Sequence, residues 1–94
     1  MSDAPDFIWD EAKRLANIAK HGLDFAEAGA IDWDLALQTE DRFAEGEYRW
    51  LATAPMGRVL VSLVATDRDG TLRLISLRTA TAQEIRMWRE AFYD

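Results

Sequence analysis

The 94-residue chain sets 11 Lys or Arg against 17 Asp or Glu, a formal net charge of −6, and is 49% hydrophobic and 30% charged with no cysteine. That composition is globular rather than disordered, and the length suits one domain spanning 1–94. It excludes a disulfide framework, a thiolate zinc site and a cysteine nucleophile, and argues against a uniformly basic nucleic-acid binder.

The acidic start MSDAPDF lacks the basic and apolar regions of a signal peptide, and the longest apolar run, residues 59–65, is far short of a membrane span. A cytoplasmic protein with no membrane partner is expected. Phe7, Ile8 and Trp9 then read as a short first strand, with Asp10 as the cap of a helix. In EAKRLANIAKHG, Ala12, Leu15, Ala16 and Ala19 recur at helical spacing, and Gly22 supplies the stop. Asp24 and Glu27 stand in a capping relation that opens a second, short helix, FAEAGAI, aimed by Leu23.

From residue 36 the period changes. LALQT, EYRWLATAP, RVLVSLVAT and TLRLISLR are rich in β-branched, aromatic and aliphatic residues, separated by Pro55-Met56-Gly57 and by the turn signal of residues 67–70. They predict an antiparallel meander with VLVSLV as its most buried strand. Thr81 and Glu84 form a T-x-x-E capping box, and Ile85, Trp88, Ala91 and Phe92 mark the face of a last helix lying on the sheet. The fold class is α+β: a short N-terminal strand, two helices, an antiparallel β-meander and a C-terminal helix packed on it.

Charge is unevenly spread. Residues 1–47 hold 12 acidic and 4 basic side chains, a balance of −8, whereas residues 48–94 hold 5 and 7, a balance of +2 with every cation an arginine. Arginine offers a planar fork of donors suited to phosphate, so this half could carry an anion-binding surface. Strict alternation along TLRLISLR would send Arg73, Ile75 and Leu77 to one face and Leu72, Leu74, Ser76 and Arg78 to the other. Arg49 sits between Tyr48 and Trp50, rings that could stack a base. The alternative is that these arginines pair with neighbouring carboxylates and have no ligand. His21, the only histidine, reads either as a helix C-terminal cap or as a group that exchanges protons near neutrality. Asp32-Trp33-Asp34 and Glu45-Gly46-Glu47 fit no calcium loop, and neither a nucleophile elbow nor a glycine-rich phosphate loop is present, so no metal or cofactor is expected.

The segments WDxxKxxxNxxKHGxxFxxA (residues 9–28) and RxISxRxA (73–80), with Arg49-Trp50, Thr66-Asp67-Arg68 and Glu84, resemble the BrnT family of bacterial toxins over nearly the whole chain. The resemblance implies a RelE-like fold and a toxin of a type II toxin–antitoxin pair, a metal-independent endoribonuclease that arrests growth by cutting RNA. It also implies a cognate ribbon-helix-helix (BrnA-like) antitoxin, contact with operator DNA only through that antitoxin, and assembly as a dimer or a toxin–antitoxin heterotetramer. Carried over by position, His21, Arg73, Arg78 and Glu84 would be catalytic, with Glu84 orienting an arginine or accepting a proton. Lys20, Arg49, Trp50 and Trp88 would bind RNA. Two positions depart from the family pattern: Ile85 follows Glu84 where an arginine is common, and Trp88 stands in place of a tyrosine, so a phenolic donor is lost. The alternative function is a catalytically degenerate toxin acting as a binding module that joins its ribbon-helix-helix antitoxin on operator DNA.

Overall fold

The computed structural model describes residues 7–44, 46–68 and 70–93. The acidic amino terminus, Glu45 of the Glu45-Gly46-Glu47 stretch and Asp69 of the 67–70 turn lie outside the described residues. The elements run β1 (Phe7–Ile8), α1 (Glu11–His21), β2 (Leu37–Ala44), β3 (Glu47–Met56), β4 (Val59–Arg68), β5 (Thr71–Thr79) and α2 (Ala82–Phe92), with 3₁₀ segments at Phe25–Ala30 and Trp33–Leu35 between α1 and β2. The strands form one sheet in the order β1-β5-β4-β3-β2. Its last four strands are an antiparallel meander, and β1 adds to the β5 edge in parallel.

Helix α1 starts and stops where its capping residues dictate. The Asp10 side chain accepts from Lys13 N, and Gly22, at φ 75°, takes the left-handed conformation that a side chain would resist while its N–H bonds Ile18 O. The buried face, however, is not the alanine–leucine stripe. Leu15 is 55% exposed, whereas Asn17 is buried and Arg14, Ile18 and His21 are half-buried. The cause lies in β5. Because β1 pairs only with Leu72 and Arg73, the outer edge of β5 beyond them has no strand partner. Asn17 serves as that partner: its Oδ1 accepts from Leu77 N at 3.1 Å, and its Nδ2 donates to Leu77 O at 2.8 Å and to Leu23 O at 2.9 Å. Buried backbone groups must be paired, and this need outweighs the alanine stripe in setting the rotation of α1.

The second helix of the sequence reading is a 3₁₀ segment, started by the Asp24 side chain accepting from Ala26 N. It covers one face of the sheet. Phe25, Ala28 and Ile31 pack there against Ala52, Ala54, Val61, Leu63, Leu74 and Leu77. Trp33 stands edge-on to Trp50, with ring centres 6.4 Å apart, and closes the periphery of this core.

The faces of β5 depart from strict alternation. Val64 pairs with Ser76 and Ala65 with Leu74, so Ile75 is an extra, unpaired residue. This bulge turns the strand by one residue. Leu74 and Leu77, expected on opposite faces, are both fully buried in the core. Arg73, opposite Thr66, and Arg78, opposite Ser62, therefore share the other face of the sheet, where simple alternation had separated them. At one end of that second face lies α2, opened by a complete Thr81–Glu84 capping box. Of its expected apolar face, Trp88 is buried and Ile85 and Phe92 are half-buried, while Ala91 is exposed.

Replacing Asn17 by Ala removes three hydrogen bonds and leaves the Leu77 N–H and C=O buried without partners. At about 1 to 3 kcal/mol per orphaned group, the expected loss is about 2 to 6 kcal/mol, or a fall in Tm on the order of 10 to 45 °C. Thermal unfolding of the Asn17→Ala and Leu15→Ala proteins checks this, because Leu15→Ala should lose less than about 1 kcal/mol.

Candidate functional site

On the face opposite the core, the sheet is uncovered between α1 and the β2–β3 hairpin, and the uncovered part forms a groove. Leu51, Val64, Ile75 and Ser76 line a cavity of about 370 Å³ that is bounded by Arg42, Arg49, Arg78 and Glu84. Ile75 and Ser76 also line a neighbouring hollow of about 220 Å³ whose opposite wall is Lys13, Lys20 and His21 of α1. The bulge thus sits at the meeting point of the two. In a chain of net charge −6, six basic side chains line one continuous depression.

Arg78 is the best held of them. Its Nη1 donates to Glu84 Oε1 at 2.8 Å and its Nη2 to Glu84 Oε2 at 2.9 Å, a bidentate fork. Ser62 Oγ and Thr81 N, each at 2.8 Å, also donate to Oε1. Fed by the Arg78 guanidinium first, and then by the Thr81 amide and Ser62 hydroxyl, the Glu84 carboxyl is pulled down to about 2 against the opposing effect of burial. The Arg78 guanidinium is correspondingly raised. A carboxylate held this far below neutrality is a poor proton acceptor at pH 7. Of the roles open to Glu84, the geometry provides two, orienting Arg78 and capping α2, and disfavours the third, proton acceptance.

Lys20 and His21 lie on the α1 wall. Among the described residues the imidazole makes no hydrogen bond, and the last turn is closed instead by Gly22 N–H to Ile18 O. Arg73 is half-buried on the same face as Arg78 but lines neither cavity, and it forms no ion pair among the described residues. Arg49 borders the larger cavity and is also bonded to Glu47, with Nη2 to Oε2 at 2.9 Å. The two tryptophans are placed differently from expectation. Trp50 is among the residues lining the larger cavity beside Arg49, but it pairs with Ala65 in register, which sets its ring on the core side, edge-on to Trp33. Trp88 is 6% exposed, donates Nε1–H to Leu35 O at 2.7 Å and packs on Phe92 and Tyr93. It locks α2 to the segment entering β2 instead of facing the groove.

Lys13, Arg42, Ser62 and Ser76 were given no site role from the sequence, although Lys13 and Ser76 stand in the family motifs. Lys13 had a signal, since positions 13, 17, 20 and 21 fall on one helical face. The others depend on strand register, which no local pattern reveals. Asp32 and Asp34 serve the start of a 3₁₀ turn, where Asp32 Oδ1 accepts from Asp34 N at 3.1 Å. Among the described residues no three His, Asp or Glu gather into a group able to hold a metal. No helix of the described residues is long and apolar enough to cross a membrane.

Residues 9–84 match the model of the family described as the ribonuclease toxin BrnT of type II toxin–antitoxin systems. The chain belongs to the BrnT family. The crystal structure of the Brucella abortus ribonuclease toxin BrnT is similar over 83% of this chain and 99% of that one, with 31% identity and a TM-score of 0.61. No curated protein sequence matches. A BrnT toxin is one half of a type II pair, so an antitoxin is its expected partner. Most of the positions that carry the resemblance divide between scaffold and groove: Asp10, Asn17, Gly22, Phe25 and Ala28 build the fold, while Lys13, Lys20, His21, Ser76 and Arg78 line the depression or bound it.

The Glu84 pairing makes stability depend on acid. Because the folded value lies below the ordinary 4.5, the stabilisation is complete above about pH 5 and is lost as pH falls toward 2. Glu84→Gln should lower stability at pH 7 by about 2 to 3 kcal/mol and flatten the decline of Tm between pH 5 and 2. Parallel Tm–pH curves for the two proteins would remove the fork as the source.

Proposed function

We propose that this chain is a metal-independent endoribonuclease of the cytoplasm that arrests growth when unopposed and is silenced by a ribbon-helix-helix, BrnA-like antitoxin. The observation that carries this reading is the groove, in which the cations of α1 face the oriented Arg78 across Ser76. A phosphodiester laid along it would meet Lys13, Lys20 and His21 on one side and Arg49 and Arg78 on the other. In the proposed reaction the RNA 2′-hydroxyl releases its proton to solvent water as its oxygen attacks the adjacent phosphorus, the bond to the 5′-oxygen breaks, and the products are a 2′,3′-cyclic phosphate and a 5′-hydroxyl. Arg78 offsets the charge that grows on the phosphoryl oxygens, the kind of stabilisation that dominates phosphoryl chemistry, and Arg73, on the same face of the sheet but outside both cavities, adds a more distant cation. His21 gives its proton to the leaving 5′-oxygen. With a buried tryptophan in place of the family tyrosine at position 88, the imidazole is the proton donor of this copy.

The degenerate-toxin alternative differs in one readout. Induced without its antitoxin, an active chain stops growth and a binding module does not. Co-expression should yield a stable complex with the antitoxin in either case, and operator DNA should bind only to that complex.

His21→Asn should keep its Tm within a few degrees, since the ring has no hydrogen bond to lose among the described residues. It should cut RNA at least about tenfold more slowly. Arg78→Ala paired with Glu84→Gln, which leaves no unpaired carboxylate, should slow cleavage roughly 30-fold to 1,000-fold and relieve growth arrest. Cleavage of RNA in the presence of a chelator, followed for each folded variant, checks both. Wild-type rates in the folded Arg78 variant would remove the arginine from the mechanism.

A further inference from the structure

Beneath the fork lies a buried polar chain that the proposed reaction does not use. Thr53 and Ser62 are paired across β3 and β4, both fully buried, with hydroxyl oxygens 2.9 Å apart. Ser62 Oγ donates to Glu84 Oε1 at 2.8 Å. A hydroxyl has one hydrogen, and that of Ser62 is committed to the carboxylate. The Thr53–Ser62 bond therefore runs from Thr53 to Ser62, and the chain is directional: Thr53 to Ser62 to Glu84, which accepts the Arg78 fork.

Burying two hydroxyls is costly unless both are paired, and small apolar residues would fill such positions at less expense of desolvation. The capping box does not require them, because Thr81 and Glu84 satisfy each other reciprocally. What Ser62 supplies is a fixed reference. Of the other donors to Glu84, Thr81 N belongs to the cap of α2 itself and Arg78 reaches it from β5 through a long side chain, whereas Ser62, 22 residues from Glu84, donates from a short side chain on the central strand β4. The terminal torsion of a glutamate is broad. Without Ser62 the carboxylate and the guanidinium can swing together while keeping their mutual bonds. With it, the pair is locked to the sheet beside the groove. Arg78 spends two N–H groups on Glu84 and one long contact of 3.4 Å on Thr79 O. The rest of its five donors remain for an anion, and their direction is set by this lock.

We propose that Ser62, oriented by Thr53, is a positioning residue for Arg78, holding the Glu84 carboxylate to the sheet so that the free edge of the guanidinium faces the groove. The effect on RNA cleavage rests on the ribonuclease function proposed above, but the effect on Arg78 does not.

Three variants, Ser62→Ala, Ser62→Thr and Thr53→Val, and two readouts test it. Nitrogen-15 NMR of the Arg78 guanidinium measures rotation about its terminal bonds, which the lock should keep slow in the wild type and which Ser62→Ala should speed at least about threefold. Steady-state cleavage of a short RNA should show kcat reduced roughly 5-fold to 50-fold in Ser62→Ala with KM within about twofold, as for a group that acts through the transition state. Ser62→Thr, which keeps the hydroxyl, should recover most of both signals. Thr53→Val should shift them in the same direction by less, and it serves in place of Ser62→Ala if that protein does not fold. Unchanged Arg78 rotation together with unchanged kcat in a folded variant lacking either hydroxyl overturns the proposal. If the wild type cuts no RNA while Ser62→Ala still loosens Arg78, the ribonuclease reading fails and the positioning role stands.

Discussion

The bidentate pairing of Arg78 with Glu84 is the interaction on which the functional face depends. It joins three tasks in four charged contacts: Glu84 caps α2, accepts from the buried Ser62 of the sheet, and holds Arg78, which lines the depression opposite the α1 cations. A partly buried ion pair by itself is weak evidence of stabilisation, because desolvation offsets much of the attraction. Here every carboxylate contact is a hydrogen bond and the guanidinium keeps one edge open. The arrangement is better explained as orientation of Arg78 than as cohesion.

Two further constraints bring partners to that arginine. The Ile75 bulge rotates β5 so that Arg73, Ser76 and Arg78 share a face while Leu74 and Leu77 enter the core. The Asn17 contacts with Leu77 then pin α1 beside the same stretch of strand. Once Asn17 points at the β5 edge, helical geometry carries Lys13, Lys20 and His21 to the rim above the bulge. A scaffold residue with no charge thereby decides where three potential cations stand.

What the sequence disclosed and what it concealed follow the range of the interactions. The Asp10 and Thr81 caps and the Gly22 stop rest on contacts within a few residues, and the four meander strands each pair with a neighbour in sequence across a turn, so local pattern was enough to read them. The inward face of α1 was not legible, because its determinant, Leu77, is 60 residues from Asn17. Nor was the role of Trp88, whose partner Leu35 is 53 residues away. The common face of Arg73 and Arg78 was hidden for a different reason: a bulge breaks the two-residue period on which alternation relies, and nothing in RLISLR marks it. The family motif named most of the groove residues, but it did so without showing that Trp50 and Trp88 belong to packing.

To bind RNA, an acidic chain must concentrate its cations, and the groove sets Lys13, Lys20, Arg42, Arg49 and Arg78 in one depression against two carboxylates of its lining, Glu40 and Glu84. If that depression cuts RNA by attack of the 2′-oxygen, the chemistry leaves a signature in the ends it makes. The decisive measurement is mass spectrometry of fragments from a short RNA and from the same strand with a single 2′-deoxy residue at the cleaved position, both incubated with the purified chain in chelator. The account predicts 2′,3′-cyclic phosphate and 5′-hydroxyl ends on the RNA and no cut at the deoxy position. Ends bearing 5′-phosphate, or equal cleavage of the two strands, would contradict it.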